Sequence, residues 1–446
     1  MMVRLTRPAL AAPLAMPLTV LPLTVLLVAG CLGAAGGCAA PREGGPSIQV
    51  AAGPVLDSAG ATIEVVAGAA LVDTPLHIRV SGLRPAQRVS VQARITDGRN
   101  VEWQAGGSYS ADRSGLLDLD HRAPCPGAYA GVDGMGLLWS MTPAPGYPEG
   151  TRFDPPRARV QLRLAVRSGE RTIATRTVTR RWFAEGVTRR SLDPVADGLA
   201  GELYLPPAGS PRHSGVLLVG GAEGGRSREY DAALLASHGH PALALAYFGE
   251  RGLPATLRDV PLEYFATAAR RLAAEPAVAA DGIVIDGASR GAEAALLTAQ
   301  DHPDLVRGVI LRSPSSDVHP GNPGPGVAWT RQGRPVPPGP IPVDRVAAPV
   351  LAIAGEADGV WDSARMAGQL MLRLDGAGVT ARHRVLSYAE AGHAAGASPY
   401  LPGSAAVTDP ISRLPVDPGG TPAGNAAAQV QSWAETLAFL DGTGRS

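Results

Sequence analysis

The stretch GIVIDGASRGAEAALL, residues 282–297, contains the pattern that decides the fold of this chain. Ile283 to Asp286 is a short run typical of a buried strand, and the Ala- and Leu-rich residues after Gly291 predict a helix. Between them lies a Gly-x-Ser-x-Gly motif centred on Ser289. In a sharp strand-to-helix turn such a motif raises the serine out of the sheet as a nucleophile, whereas elsewhere it is an ordinary tight turn. The flanking strand and helix favour the nucleophile.

The sequence around this motif alternates buried strands with helices from about residue 198 onward. Apolar runs such as SGVLLVGG (214–221), PALALAY (241–247) and APVLAIAGEAD (348–358) predict strands that are buried on both faces. Amphipathic patterns such as PLEYFATAARRLAAEP (261–276) predict the helices between them. The alternation predicts a parallel sheet covered by helices on both faces, and with the serine motif it indicates an α/β-hydrolase domain over residues 195–442.

The preceding region, residues 56–190, has a different hydrophobic periodicity. Apolar residues recur at every second position in TIEVVAG, LHIRVSGL, RVSVQARITD, VQLRLAVRSG and TRTVTRRWF. Short strands at this spacing predict a small immunoglobulin-like β-sandwich domain. The long apolar loop 125–146 is expected to pack against the neighbouring domain.

The N-terminus is expected to be a targeting segment. Arg4 and Arg7 precede a long apolar run that ends in Val28-Ala29-Gly30-Cys31. This arrangement resembles a bacterial lipoprotein signal, which implies cleavage before Cys31, lipidation of its sulfur and an extracytoplasmic, membrane-anchored protein. The alternatives are an ordinary secretory signal, which would leave a soluble secreted protein, and an uncleaved anchor. Residues 1–31 would then be the signal and residues 32–55 a flexible tether.

Composition excludes several function classes. The 446 residues carry 40 basic and 40 acidic side chains, so no basic face for nucleic acid is predicted. The three cysteines, Cys31, Cys38 and Cys125, permit one disulfide. Neither C-x-x-C nor H-E-x-x-H occurs, so we predict no metal site. We also expect no cofactor and a monomer.

A serine nucleophile needs a base, and in this fold the order along the chain is serine, acid, histidine. His393 follows the last strand in a loop of small residues, EAGHAAG, which is the expected position of the base. The other histidines after Ser289 lie elsewhere in the predicted structure. His302 lies at a helix end, His319 in a Pro/Gly loop and His383 in a strand-like run.

The acid is expected just after an earlier strand, in GEADGVWDS (355–363). Asp358 follows the strand and its glycine turn, where a carboxylate can orient the histidine and stabilise its charged form. Glu356 and Asp362 are the alternatives.

An oxyanion hole needs two backbone N–H donors. The amide of Arg290, directly after the nucleophile, is the first expected donor. The second is expected in the glycine-rich loop 220–225, at Ala222 or else at Glu223. The alternative is that this loop is a glycine turn without a catalytic role.

Taken together, these motifs resemble the acyl-CoA thioesterase / bile acid-CoA:amino acid N-acyltransferase family over roughly residues 60–440. The resemblance is carried by LVDTPLHIRVSGLRPAQRV, SYSADRSGLLDL and GMGLLWSM in the first domain. In the second it is carried by YFGERGLP, PLEYF, GASRGAEAAL, GEADGVWDS, AGHAAGASPY and GGTPAGNAAAQVQSWAETLAFL. It implies a sandwich on an α/β-hydrolase domain, with Ser289, Asp358 and His393 as nucleophile, acid and base.

The resemblance also implies the substrate class. Family members that conjugate bile acids carry cysteine as the nucleophile, so Ser289 favours a serine thioesterase that hydrolyses fatty acyl-CoA. A lipoprotein would lie where CoA esters are scarce. The alternative is therefore an extracytoplasmic esterase or acyltransferase that acts on envelope lipids or small esters. A non-enzymatic surface lipoprotein is disfavoured by the complete set of catalytic side chains.

Overall fold

The structure is a computed structural model that describes residues 60–67, 70–148, 150–157, 159–378, 381–403, 407–408 and 415–443. All residues before Gly60, which include the expected signal segment 1–31 with Cys31 and the expected tether 32–55, lie outside the described residues. Among the helices of the described ranges, none is both long and apolar enough to span a bilayer.

The N-terminal region forms two antiparallel sheets, with strand orders β1-β2-β5 and β6-β4-β3-β7-β8. Buried and outward-facing residues alternate in β3 and β7, as the period-2 pattern predicted. The inward residues of both sheets belong to one hydrophobic core. An immunoglobulin-like connection of these strands stays a prediction. The elements are β1 (Thr62–Ala67), β2 (Leu76–Ser81), β3 (Arg88–Thr96), β4 (Glu102–Ser110), β5 (Leu117–Asp118), α1 (Gly136–Trp139), β6 (Thr142–Pro143), β7 (Val160–Ser168) and β8 (Arg171–Arg180).

The second region is built on an eight-stranded sheet. Its order is β9-β10-β12-β11-β14-β15-β20-β21, which is the strand order of an α/β-hydrolase sheet. The strands of this sheet are β9 (Thr188–Leu192), β10 (Ala200–Leu205), β11 (His213–Val219), β12 (Ala242–Ala246), β14 (Val278–Ala288), β15 (Val306–Arg312), β20 (Val350–Gly355) and β21 (Arg384–Tyr388).

Five α-helices and several short strands complete this region. The helices are α2 (Glu229–Ser237), α3 (Leu262–Ala273), α4 (Arg290–Asp301), α5 (Ser363–Gly376) and α6 (Pro422–Thr443). The short strands are β13 (Val260–Pro261), β16 (Asp317–Val318), β17 (Trp329–Arg331), β18 (Arg334–Pro335), β19 (Gly339–Pro340), β22 (Val407–Thr408) and β23 (Pro415–Val416).

Most strand pairs of the sheet are parallel, as expected, but two antiparallel pairs at one edge make it a mixed sheet. β9 pairs antiparallel with β10, and β10 pairs antiparallel with β12, while the remaining pairs are parallel. The connection between β9 and β10 is a short loop, and a short loop can join only antiparallel neighbours.

Strand β11 shows why the central strands are continuously apolar in sequence. Val216 and Leu218 face a core that continues into the N-terminal sheets, whereas Leu217 and Val219 face a second core on the other side. Because both faces of the strand are buried, no alternation of polar residues remains.

Hydrogen bonds of Asp73 and of the loop 125–146 join the N-terminal region to the hydrolase region. The carboxylate of Asp73 accepts a hydrogen bond from Trp433 Nε1 at 2.9 Å and lies 2.6 Å from His238 Nε2. The carbonyl of Trp139, in the apolar loop 125–146, accepts the amide of Gly403 at 3.4 Å. This loop therefore packs against the hydrolase region, as expected.

Candidate active site

Ser289 occupies a strained turn between β14 and α4. Its backbone has φ 53° and ψ −118°, outside the regions that residues with a side chain usually adopt. A Cβ atom at Gly287 would lie 2.3 Å from the carbonyl oxygen of Gly291. One at Gly291 would lie 2.4 Å from the carbonyl oxygens of Val219 and Gly220. Glycine is therefore required on both sides of the serine, because Gly287 is pressed against the start of α4 and Gly291 against the end of β11.

His393 and Asp358 form a hydrogen-bonded pair. His393 Nδ1 lies 2.9 Å from Asp358 Oδ2 and 3.1 Å from its Oδ1. Asp358 is almost fully buried, with 1% of its side chain exposed, and His393 is 18% exposed. Burial opposes ionisation of Asp358, but hydrogen bonding and charge from His393, helped by Ser363 and the Val360 amide, hold the pKa of the carboxyl below its ordinary value. The pair can thus orient the imidazole and stabilise its protonated form.

The alternative acids have other partners. Asp362 caps helix α5: its Oδ1 accepts the amide of Arg365 at 3.1 Å, and its side chain is 54% exposed. Glu356 accepts a hydrogen bond from Ser387 Oγ at 2.9 Å. Of the three acids expected from the sequence, Asp358 is the one that contacts His393.

Residues at the end of β15 tie the serine turn to the histidine loop. The amide of Ser289 donates to the carbonyl of Arg312 at 2.8 Å. The hydroxyl of the next residue, Ser313, donates to the carbonyl of His393 at 2.7 Å. The two catalytic candidates are thereby anchored to adjacent residues at the same end of the sheet.

Trp361 is a neighbour of the histidine that sequence reasoning missed. Its ring meets the His393 ring edge-on at a centroid distance of 5.2 Å, and its Nε1 donates to the carbonyl of Ser313 at 3.1 Å. On its other side it stacks on His319 at 5.1 Å. His319, in turn, has its Nδ1 3.0 Å from the buried carboxylate of Glu293. His319 therefore borders the site without taking the position of the base.

The glycine-rich loop after β11 lies directly against the serine. A Cβ atom at Gly221 would be 3.0 Å from Ser289 Cβ. The buried hydroxyl of Tyr247 lies 2.8 and 3.0 Å from the carbonyl oxygens of Gly220 and Gly221, which share its single proton in a bifurcated hydrogen bond. In a trans planar peptide the N–H points away from the preceding C=O. Tyr247 thus turns the amides of Gly221 and Ala222 to the side of the loop opposite its own hydroxyl.

Arg290 and Glu223, two of the residues expected to supply an oxyanion-hole amide, have different surroundings in the structure. Arg290 is the first residue of α4, so its N–H has no acceptor within the helix. The side-chain Oε1 of Glu223 accepts the amide of Gly221 at 3.1 Å.

A buried ion network lies beneath the serine turn. Asp286 is fully buried and contacts two guanidinium groups, those of Arg228 and Arg312. Burial opposes its ionisation, but the two arginines outweigh this and lower the pKa of Asp286 to about 2. The signal in the sequence was a single aspartate in the otherwise apolar run IVID, and only the structure supplies its partners.

Known protein families match this chain in two parts. The model of the acyl-CoA thioester hydrolase/BAAT N-terminal region matches residues 73–194. The model of the BAAT / acyl-CoA thioester hydrolase C terminus matches residues 330–443.

Individual relatives align over most of their length. Acyl-coenzyme A amino acid N-acyltransferase 2 of Rattus norvegicus is 32% identical over 407 residues, which is 83% of this chain and 95% of the relative. Acyl-coenzyme A thioesterase 1 of Homo sapiens is 31% identical over 411 residues, or 84% and 94% of the two chains. The mitochondrial acyl-coenzyme A thioesterase 2 of Homo sapiens is 30% identical, with coverage of 84% and 82%. With both regions matched in order and relatives of at least 30% identity aligned over most of both chains, this protein belongs to the acyl-CoA thioester hydrolase/BAAT family.

Proposed function

We propose that this protein is a serine thioesterase that hydrolyses acyl-CoA to a free acid and CoA through Ser289, His393 and Asp358. The observation that carries the proposal is the hydrogen bond of 2.9 Å between His393 Nδ1 and Asp358, on a loop anchored beside the strained serine turn. The names of the relatives, which include acyl-CoA thioesterases, support the substrate class.

In the acylation step, Ser289 Oγ attacks the thioester carbonyl carbon while His393 Nε2 takes the hydroxyl proton. Asp358 accepts the Nδ1–H bond and stabilises the imidazolium that forms. The tetrahedral intermediate then collapses, the C–S bond breaks, and His393 returns the proton to the departing sulfur. The products of this step are an acyl-serine ester and CoA thiol.

The negative oxygen of the intermediate needs donors that are already in position. The amides of Arg290 and Ala222 are proposed for this role. The position of Tyr247 supports this role for Ala222. Its hydroxyl holds the carbonyls of Gly220 and Gly221, so the amides of Gly221 and Ala222 lie on the opposite side of the loop.

In the deacylation step, water replaces CoA. His393 removes a proton from the water, hydroxide attacks the acyl-serine, and the proton returns to Ser289 as the acid leaves. Each group ends in its starting state, so the cycle needs no cofactor.

The same steps would cleave an oxygen ester, which is the activity expected of an extracytoplasmic esterase. The test compares an acyl-CoA with the p-nitrophenyl ester of the same acyl chain, using wild type and Ser289→Ala. We expect a higher kcat/KM for the CoA ester and no turnover of either substrate by the variant. A clear preference for the oxygen ester would support the esterase instead, and failure to cleave both would refute a hydrolase.

Further proposals concern the division of the chain and its location. Residues 56–190 would form a supporting sandwich and residues 195–442 the catalytic domain. The contacts of Asp73 with Trp433 and His238 support a structural role for the first region. Lipidation at Cys31 would place the enzyme at a membrane outside the cytoplasm.

A further inference from the structure

Three residues with metal-binding side chains lie together at the N-terminal ends of β11 and β12, which is the end of the sheet opposite the candidate active site. His213 begins β11, His240 precedes β12, and Asp441 lies in the last turn of α6. One ligand atom from each residue lies within 4.8 Å of the other two. The serine turn lies at the far end of β11, beyond seven strand residues, or roughly 20 Å at 3.3 Å per residue.

The His240 side chain is buried and lies close to both Asp441 and His213. The ring is only 1% exposed, its Nε2 lies 3.5 Å from Asp441 Oδ1, and its centroid is 4.8 Å from that of His213. Its Nδ1 has no hydrogen-bond partner within the part of the chain that the structure describes. Nε2 is thus the nitrogen that faces Asp441, and the other nitrogen of this buried ring lacks, among the described residues, the hydrogen bond that buried imidazole nitrogens normally make.

The types of donor atom select the ion. Two imidazole nitrogens and one carboxylate oxygen form the kind of set that binds Zn²⁺, whereas Mg²⁺ and Ca²⁺ prefer oxygen ligands throughout. In a tetrahedral site with water as the fourth ligand, bonds of about 2.0–2.2 Å would bring the three protein ligand atoms to about 3.4 Å apart. A small movement of Asp441, whose side chain is 59% exposed, and of His213 would be enough.

We propose that His213, His240 and Asp441 form a zinc site that fastens the end of α6 to the start of β11. Helix α6 also carries Trp433, which reaches Asp73 of the N-terminal region. A bound ion would therefore stabilise the packing of this helix on both regions. The three ligands come from distant parts of the chain, so no local motif reveals the site, and this proposal replaces the expectation of no metal site.

The test uses the full exported chain, purified with a tag that lacks histidine and stripped of metal with a chelator. Zn²⁺ or Mg²⁺ is then titrated while heat of binding and thermal unfolding are measured. We expect one Zn²⁺ per chain, an increase in Tm with Zn²⁺, and no effect of Mg²⁺ at equal concentration. Co²⁺ in place of Zn²⁺ should give the visible absorption of a tetrahedral site.

Variants at the proposed ligands test whether Zn²⁺ binds at this site. Asp441→Asn and His213→Gln should each weaken Zn²⁺ binding at least tenfold and remove the increase in Tm. Both side chains are more exposed than His240, so these variants should fold. His121→Gln, at an exposed histidine of the N-terminal region, is the matched control and should bind as wild type does. Absence of stoichiometric Zn²⁺ binding, or binding unaffected by both ligand variants, would overturn the proposal.

Discussion

Asp286 and Arg312 form a buried ion pair beneath the serine turn, with Nε to Oδ1 and Nη2 to Oδ2 distances of 2.8 Å each. Arg312 also donates through Nη1 to the carbonyl of Gly396, three residues after His393. The pair therefore connects the strand that leads into Ser289 with the loop that carries His393. A single carboxylate thus supports the relative placement of the proposed nucleophile and base.

This pair predicts a specific loss of stability in acid. Because the pKa of Asp286 is lowered to about 2, its contribution is fully present above its ordinary pKa of 3.8 and is lost as pH falls toward 2. Asp286→Asn leaves the buried guanidinium of Arg312 without its carboxylate partner and leaves Arg228 with Asp231 alone, which should cost about 3–5 kcal/mol near neutral pH. Urea unfolding from pH 7 to pH 2 measures both effects. The difference between wild type and variant should shrink between pH 4 and 2, and a constant difference would contradict the assignment.

Substitutions in the proposed triad should abolish turnover without unfolding the protein. Ser289→Ala and His393→Ala should each lower kcat by roughly 10⁴- to 10⁶-fold, and Asp358→Asn by roughly 10⁴-fold. Asp362→Asn is the matched control, because Asp362 caps α5 and does not contact His393. Rates with one acyl-CoA and circular dichroism spectra are compared across the set. Retention of more than a tenth of the rate by a folded Ser289 or His393 variant would refute the triad, and a larger loss at Asp362 would move the acid there.

Tyr247→Phe should lower kcat roughly tenfold with little change in KM. The variant removes the hydrogen bonds that hold the loop amides in place, and loss of one complete oxyanion donor costs about 10²- to 10³-fold. Tyr264→Phe is the control, since that hydroxyl donates to the carbonyl of Ala246 outside the loop. Steady-state kinetics and Tm are measured for both. Equal effects of the two variants on kcat would show that Tyr247 acts only through stability.

Cys31→Ser should release the protein from the membrane fraction. A single acyl chain gives only marginal membrane binding, whereas two or more anchor stably, so the lipidated cysteine would be required for anchoring. Fractionation of cells that express each form, followed by immunoblotting, tests this. Wild type found in the soluble cytoplasm would reject export and restore intracellular acyl-CoA as the substrate at hand.

Ser289→Cys should shift the fate of the acyl group from water toward amines. The acyl-enzyme would become a thioester, which reacts with amines in preference to water more than an oxygen ester does. We expect acylation to continue, hydrolysis to slow, and a larger share of product to be captured by added glycine or taurine. The ratio of amide to free acid from one acyl thioester at fixed amine concentration is the measurement. An unchanged ratio would mean that the acceptor pocket, not the nucleophile, decides between hydrolysis and transfer.

The secondary structure was predictable where burial leaves a clear pattern. The runs around β11, β12 and β14 are apolar because both faces of each strand are covered. Such continuous apolar runs can be recognised in the sequence without a structure. Strand β4 was missed, since Gly106 and Gly107 interrupt the apolar alternation although its residues alternate in burial. The antiparallel pair β9 and β10 was missed because orientation depends on partners, not on the strand itself.

The sequence alone determined the position of Ser289 and the order of serine, acid and histidine. These follow from local sterics, since glycine must flank the turn, and from the succession of strands and helices. It narrowed the acid to three carboxylates, but only the tertiary structure brings Asp358 to His393 and leaves Asp362 at a helix cap. Tyr247, Trp361, the arginine partners of Asp286 and the cluster at His240 are likewise products of the fold. Each joins residues far apart in the chain, and such contacts form only when the strands and helices pack together.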